Sequence, residues 1–166
     1  MRRFCSAIDS LNRFVGHAAM HVYLVVALLT IYEVAMRYAF HAPTIWSYEL
    51  VLALCGTAWA LSGGYVLGRR RHIAITLLTD LMPPGLRRGF DALALAVSGA
   101  AVGLLVYLSW GLAAKSLRWI DKSGSAFNSP LPTLLKIVLA VGAVLYLLQI
   151  LAALARLLFR IPDEED

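Results

Sequence analysis

Apolar residues run along this chain in four long blocks, and polar residues collect at the block edges. The blocks cover about residues 14–36, 46–67, 90–114 and 134–159. A helix needs about 20 mostly apolar residues to cross a hydrocarbon core about 30 Å thick. Each block therefore predicts a transmembrane helix. The period-2 alternation of a barrel strand is missing from them. The expected fold is an all-α integral membrane protein, with residues 1–166 forming a single four-helix transmembrane domain.

The segments between the blocks predict smaller features. Phe4, Ile8 and Leu11 recur at helical spacing, with Arg3, Asp9 and Asn12 on other faces. That pattern predicts a short interfacial helix ahead of span one. Arg2 and Arg3 before an apolar run imitate a signal peptide, but the run is too long for one and reads as an uncleaved first span. Pro43 turns the first connection, and Thr44 is the expected N-cap of span two. Residues 73–82 are apolar with Thr76, Thr79 and Asp80 interspersed, and Pro83-Pro84-Gly85 ends the run. Too short to cross, this segment predicts a helix lying on the membrane surface. Trp46, Trp110 and Trp119 fall near predicted membrane edges, where indoles concentrate.

Composition agrees with a membrane protein. Of 166 residues, 60% are hydrophobic, above the roughly 45–50% of soluble domains. The net charge of +5 raises nucleic acid as a partner, but its placement explains it otherwise. Arg2, Arg3, Arg13, Arg69, Arg70, Arg71, Arg87, Arg88, Arg156 and Arg160 fall on one side of the predicted topology. Arg37, Lys115, Arg118, Lys122 and Lys136 fall on the other. The positive-inside rule then predicts both termini in the cytoplasm, so no nucleic-acid partner is expected. Cys5 and Cys55 lie too far apart in the chain to read as a disulfide framework or a metal motif.

Candidate chemistry is sparse. Mid-span positions are Val25-Val26, Gly56-Thr57, Val102-Gly103 and Tyr146, none of which titrates near neutrality. Transport paths and proton relays usually place ionisable groups there. Glu33 precedes Arg37 by four residues, about 6 Å along the helix, in the favourable order for an ion pair. Span two returns beside span one, so Glu49 is expected to join Arg37 in a Glu–Arg–Glu cluster that clamps the first hairpin. Gly56, Ala60 and Gly64 recur every four residues, as do Gly99 and Gly103, which marks close helix approach. His17 and His21 lie one turn apart, but neither His41 nor His72 falls at matching depth for haem. No nucleophile–base pair, phosphate loop or metal motif appears, and neither an enzyme nor a cofactor is expected.

One ordered stretch goes further. Arg37-Tyr38 closes span one, Pro43 and Trp46 sit in a short loop, and Glu49 follows three residues after the tryptophan. Gly64-Tyr65 lies near the end of span two, and Arg69-Arg70-Arg71-His72 follows. This order resembles the small, DctQ-like membrane subunit of tripartite ATP-independent periplasmic (TRAP) transporters. The four spans and the Pro130–Pro132 entry to span four agree with that family. After His72, Ala74 and Thr76 stand where the family usually has arginine and aspartate. The resemblance implies a scaffold subunit in the bacterial inner membrane. Its implied partners are a large multi-span subunit, a periplasmic substrate-binding protein and the lipid bilayer. Together they import organic acids, driven by sodium or another ion gradient. Two other readings stay open on the residues alone. One is a small proton-coupled multidrug exporter using Glu33. The other is a haem or quinone anchor using His17 and His21.

Overall fold

A computed structural model of the chain describes residues 2–68 and 83–159. The described residues form four helices: α1 (Arg2–Tyr38), α2 (Ser47–Gly68), α3 (Pro84–Arg118) and α4 (Leu131–Phe159). All four are long and apolar enough to cross a membrane. Arg69, Arg70, Arg71, His72 and the expected surface helix at 73–82 lie outside the described residues.

Each helix begins or ends for a local reason. At the end of α1, the Ala35 carbonyl accepts from the Ala39 and Phe40 N–H groups, and the Met36 carbonyl accepts from Ala42. His41 supports this closure in the left-handed region, at φ 54°. The first turn of α2 hangs from the Trp46 carbonyl, which accepts the Leu50 N–H at 3.1 Å. Thr44 therefore does not cap α2; its hydroxyl and N–H both turn to Glu33. The Pro83 carbonyl opens α3 by accepting from Leu86 and Arg87. Pro84 falls where a missing N–H costs nothing, so the proline pair that closes the preceding segment in sequence also starts α3. With 35 residues at 1.5 Å each, α3 outreaches the hydrocarbon core and projects beyond the expected 90–114.

The short connections 39–46 and 119–130 share one end of the bundle, the loop end. The start of α1 and the finish of α4 share the other, the terminal end. α4 is the central helix, touching α1, α2 and α3, while α3 packs substantially on α4 alone. Small residues permit this arrangement. Ala140, Gly142, Ala143 and Ala152 are buried along α4, and Gly142 rests directly on the Ala60 backbone carbonyl. Gly56 meets the Leu135 side chain, Gly64 meets Asn12, and Gly16 lies under the Tyr65 ring. Thus Gly56, Ala60 and Gly64 bring α2 against α4 and α1 within the chain. In α3, a Cβ built on Gly99 would lie 3.4 Å from the Ile150 side chain, whereas one on Gly103 would meet open space.

The expected interfacial helix at the N-terminus is not separate. Residues 2–38 form one continuous helix, and its first turns pack on the bundle. Cys5, Ile8 and Asn12, spaced three and four residues apart, share the buried face, and Cys5 and Ile8 join Ala152 of α4 in a small core. Leu11, expected on the apolar side, is 47% exposed. A polar side chain at Asn12 takes the inner position because a polar partner waits for it on α4.

Candidate functional site

The polar groups form three locks, two at the loop end and one at the terminal end. The first holds the hairpin of α1 and α2. The Arg37 guanidinium donates to Glu33 Oε1, through Nη2 at 2.7 Å and Nε at 3.2 Å. The second oxygen of Glu33 accepts the Thr44 N–H at 3.2 Å and the Thr44 hydroxyl. One carboxylate thus ties the last turns of α1 to the loop that returns to α2. Trp46 stacks on Tyr32 with ring centroids 6.2 Å apart. Tyr38 and Pro43 are exposed at this end.

Glu49 does not join Arg37. It lies two turns before Gly56 on the face of α2 that packs on α4, so it points away from α1 and into the second loop. There it is 4% exposed and accepts from three serines. Ser123 Oγ donates to Oε1 at 2.6 Å, and Ser125 Oγ donates to the same oxygen. The Ser129 hydroxyl and its N–H, the latter at 3.2 Å, donate to Oε2. The loop bends to meet them: Gly124 and Asn128 take φ values of 69° and 51°, and the Ser123 N–H closes on the Ser129 carbonyl. The expected Glu–Arg–Glu cluster is therefore two separate locks.

Beside the second lock, Asp121 gathers α3 and α4. Its carboxylate accepts from Ser116 at 2.8 Å and from Lys136 at 2.7 Å. Its N–H donates to Thr133 Oγ1 at 2.8 Å. The Lys136 ammonium, and after it the Ser116 hydroxyl, hold the Asp121 carboxyl below its ordinary 3.8 against a smaller opposing effect of desolvation.

The third lock lies at the terminal end and joins α1 to α4. Asn12 Nδ2 donates to Gln149 Oε1 at 2.7 Å, and Gln149 Nε2 donates to Asp9 Oδ1 at 2.7 Å. Arg156 forms an ion pair with Asp9 Oδ2. Asn12 and Gln149 are almost fully buried, at 2% and 1% exposure. Gly64 and Gly68 of α2 make room for the two amides. The two histidines of α1 lie nearby: Nδ1 of His17 bonds the Arg13 carbonyl at 2.7 Å, and Nδ1 of His21 bonds the His17 carbonyl at 2.8 Å. His17 also meets the Tyr65 ring edge-on.

The serines of the second loop and the Asp9–Asn12–Gln149–Arg156 lock escaped the sequence reading. A signal existed for each. A buried carboxylate near a helix start needs donors, and Ser-Gly-Ser with Ser129 supplies them. Gln149 and Arg156 are seven residues apart on α4, one face of a helix.

Between the locks the bundle carries no charge among the described residues. Residues 22–29, 53–61, 98–106 and 142–148, the middle turns of the four apolar spans, contain no Asp, Glu, Lys, Arg or His, and Gln149 of the third lock follows directly after the last of them. No group of three or more His, Cys, Asp or Glu side chains converges among the described residues. Fold and site together define a multi-pass membrane protein built as a braced bundle, with its ionic contacts toward the two ends. A family profile for the tripartite ATP-independent periplasmic transporters, DctQ component, matches residues 26–160. The chain belongs to this family and is the small membrane subunit of a TRAP transporter. The family is one of transporter components rather than enzymes. No curated protein sequence matches the chain.

Proposed function

We propose that this chain is a scaffold subunit. It braces a large membrane subunit that carries substrate and coupling ion, and a periplasmic binding protein delivers an organic acid to the pair. The ion is sodium or another gradient-driven cation. The observation that carries this reading is the absence of charged side chains from the middle turns of all four helices, in a chain of a transporter family. A carrier of carboxylates usually places ionisable groups at mid-depth, so in this reading substrate and ion pass elsewhere in the complex. In this reading both termini are cytoplasmic, following the arginine distribution, and the loop end faces the periplasm.

Glu33, Arg37, Tyr38, Pro43, Trp46 and Glu49 then serve assembly rather than transport chemistry. So do the close-packed Gly56, Ala60, Gly64 and Tyr65, and Arg69, Arg70, Arg71 and His72. The test is co-purification with the large subunit. Arg37→Ala, which releases Glu33, lowers the yield of the complex and leaves substrate affinity of the assembled transporter unchanged. Normal assembly with altered substrate affinity would give the hairpin a direct part in transport.

A further inference from the structure

At the last two turns of α3 a cleft of about 380 Å³ opens between Gly111, Ala114, Lys115, Arg118 and Trp119. It faces away from the bundle, because α3 packs substantially on α4 alone and Ala113 and Ser116 are the buried residues of this stretch. Its floor is made of missing side chains: a Cβ built on Gly111 would meet nothing within 4 Å. Ala114 and the exposed Trp119 form its apolar wall.

Its mouth is cationic. The other two cations at this end of the helices are engaged, Arg37 with Glu33 and Lys136 with Asp121. Lys115 feels Asp121 only through space, and Arg118 has no ion-pair partner among the described residues. Cations complement the carbonyl end of a helix, which accounts for their sign. It does not account for a groove beneath them. From Gly111 to Lys115 is about 6 Å along the axis, so the cleft runs from apolar depth up to the charged level.

We infer that this cleft is a binding site for an anionic phospholipid. The headgroup phosphate lies between the Lys115 ammonium and the Arg118 guanidinium, Trp119 covers the glycerol level, and one acyl chain descends over Ala114 and Gly111. The charge fits a phosphodiester, and the apolar groove fits a chain that a free phosphate lacks.

Native mass spectrometry of the purified chain in detergent tests the site, with phosphatidylglycerol titrated against phosphatidylcholine. The wild type retains phosphatidylglycerol in preference. Each surface cation contributes a few-fold to attraction of anionic lipid, so Lys115→Gln with Arg118→Gln weakens that binding by about 30-fold. Lys122→Gln, an exposed loop cation outside the cleft, leaves it unchanged. Gly111→Leu fills the groove, keeps both charges and also releases the lipid. Equal retention of both lipids overturns the inference, as does a double variant that binds like wild type. Competition by millimolar inorganic phosphate would make this a site for a free anion. Unaltered lipid binding with weakened capture of the large subunit would make it a protein interface. Either result contradicts a lipid site.

Discussion

Three carboxylates do most of the ordering at the loop end: Glu33 and Glu49 accept on both oxygens, and Asp121 takes Ser116 and Lys136 on one. Glu49 is the most enclosed, and its partners come from hydroxyls rather than a cation. Removing the charge while keeping the shape separates the two contributions. Glu49→Gln keeps one acceptor oxygen but places an amide donor against a serine. The expected result is faster amide exchange through residues 119–130, with exchange in the hairpin of α1 and α2 unaltered. Equal loosening of both would show that the two locks act as one. Asp121 gives a pH signature. Its folded carboxyl titrates below the ordinary 3.8, so its contribution is complete above that value and is lost as pH falls through the lower, folded one. Trp119 fluorescence should therefore stay constant from neutral pH to about 4 and change only below it. Asp121→Asn should lack that acid transition.

At the scale of elements, α4 organises the bundle because its small residues let two neighbours approach and its polar residues fix their register. Gly142→Ala tests the first role. The added methyl would strike the Ala60 carbonyl, and overpacking of this kind costs about 1–3 kcal/mol. Gly103→Ala, whose methyl meets open space, is the matched control and should be near neutral. Unfolding in mixed micelles distinguishes them. Gln149→Leu tests the second role. It strands the Asn12 amide and one Asp9 oxygen, and a buried polar group left without its partner costs about 1–3 kcal/mol. The helices themselves were legible in the sequence because an apolar run of membrane length has few alternatives. Their ends were less so: α1 begins at residue 2 and α3 at residue 84, where amphipathic turns continue past the apolar block. The pairing of Glu33 with Arg37 was legible because four residues fix their distance. The partners of Glu49 and Gln149 were not, since each lies more than 70 residues away in sequence and depends on which face of a helix meets which neighbour.

For the whole molecule, ionic locks toward both ends and an uncharged middle describe a body that holds a shape across a membrane. The order of contacts runs α1, α2, α4, α3, leaving long apolar flanks exposed on α1 and α3. In the proposed reading those flanks are the surfaces open to lipid or to the large subunit. The family places the chain in a tripartite transporter, and among the described residues the middle turns of the bundle carry no charged side chain. The central claim is thus that this subunit is required for transport and performs none. Reconstitution into proteoliposomes under an imposed sodium gradient addresses it most directly. The purified chain should give no uptake of carboxylate substrate above empty vesicles, whereas addition of the large subunit and the substrate-loaded binding protein should restore it. Gradient-driven uptake by the chain alone would contradict the account.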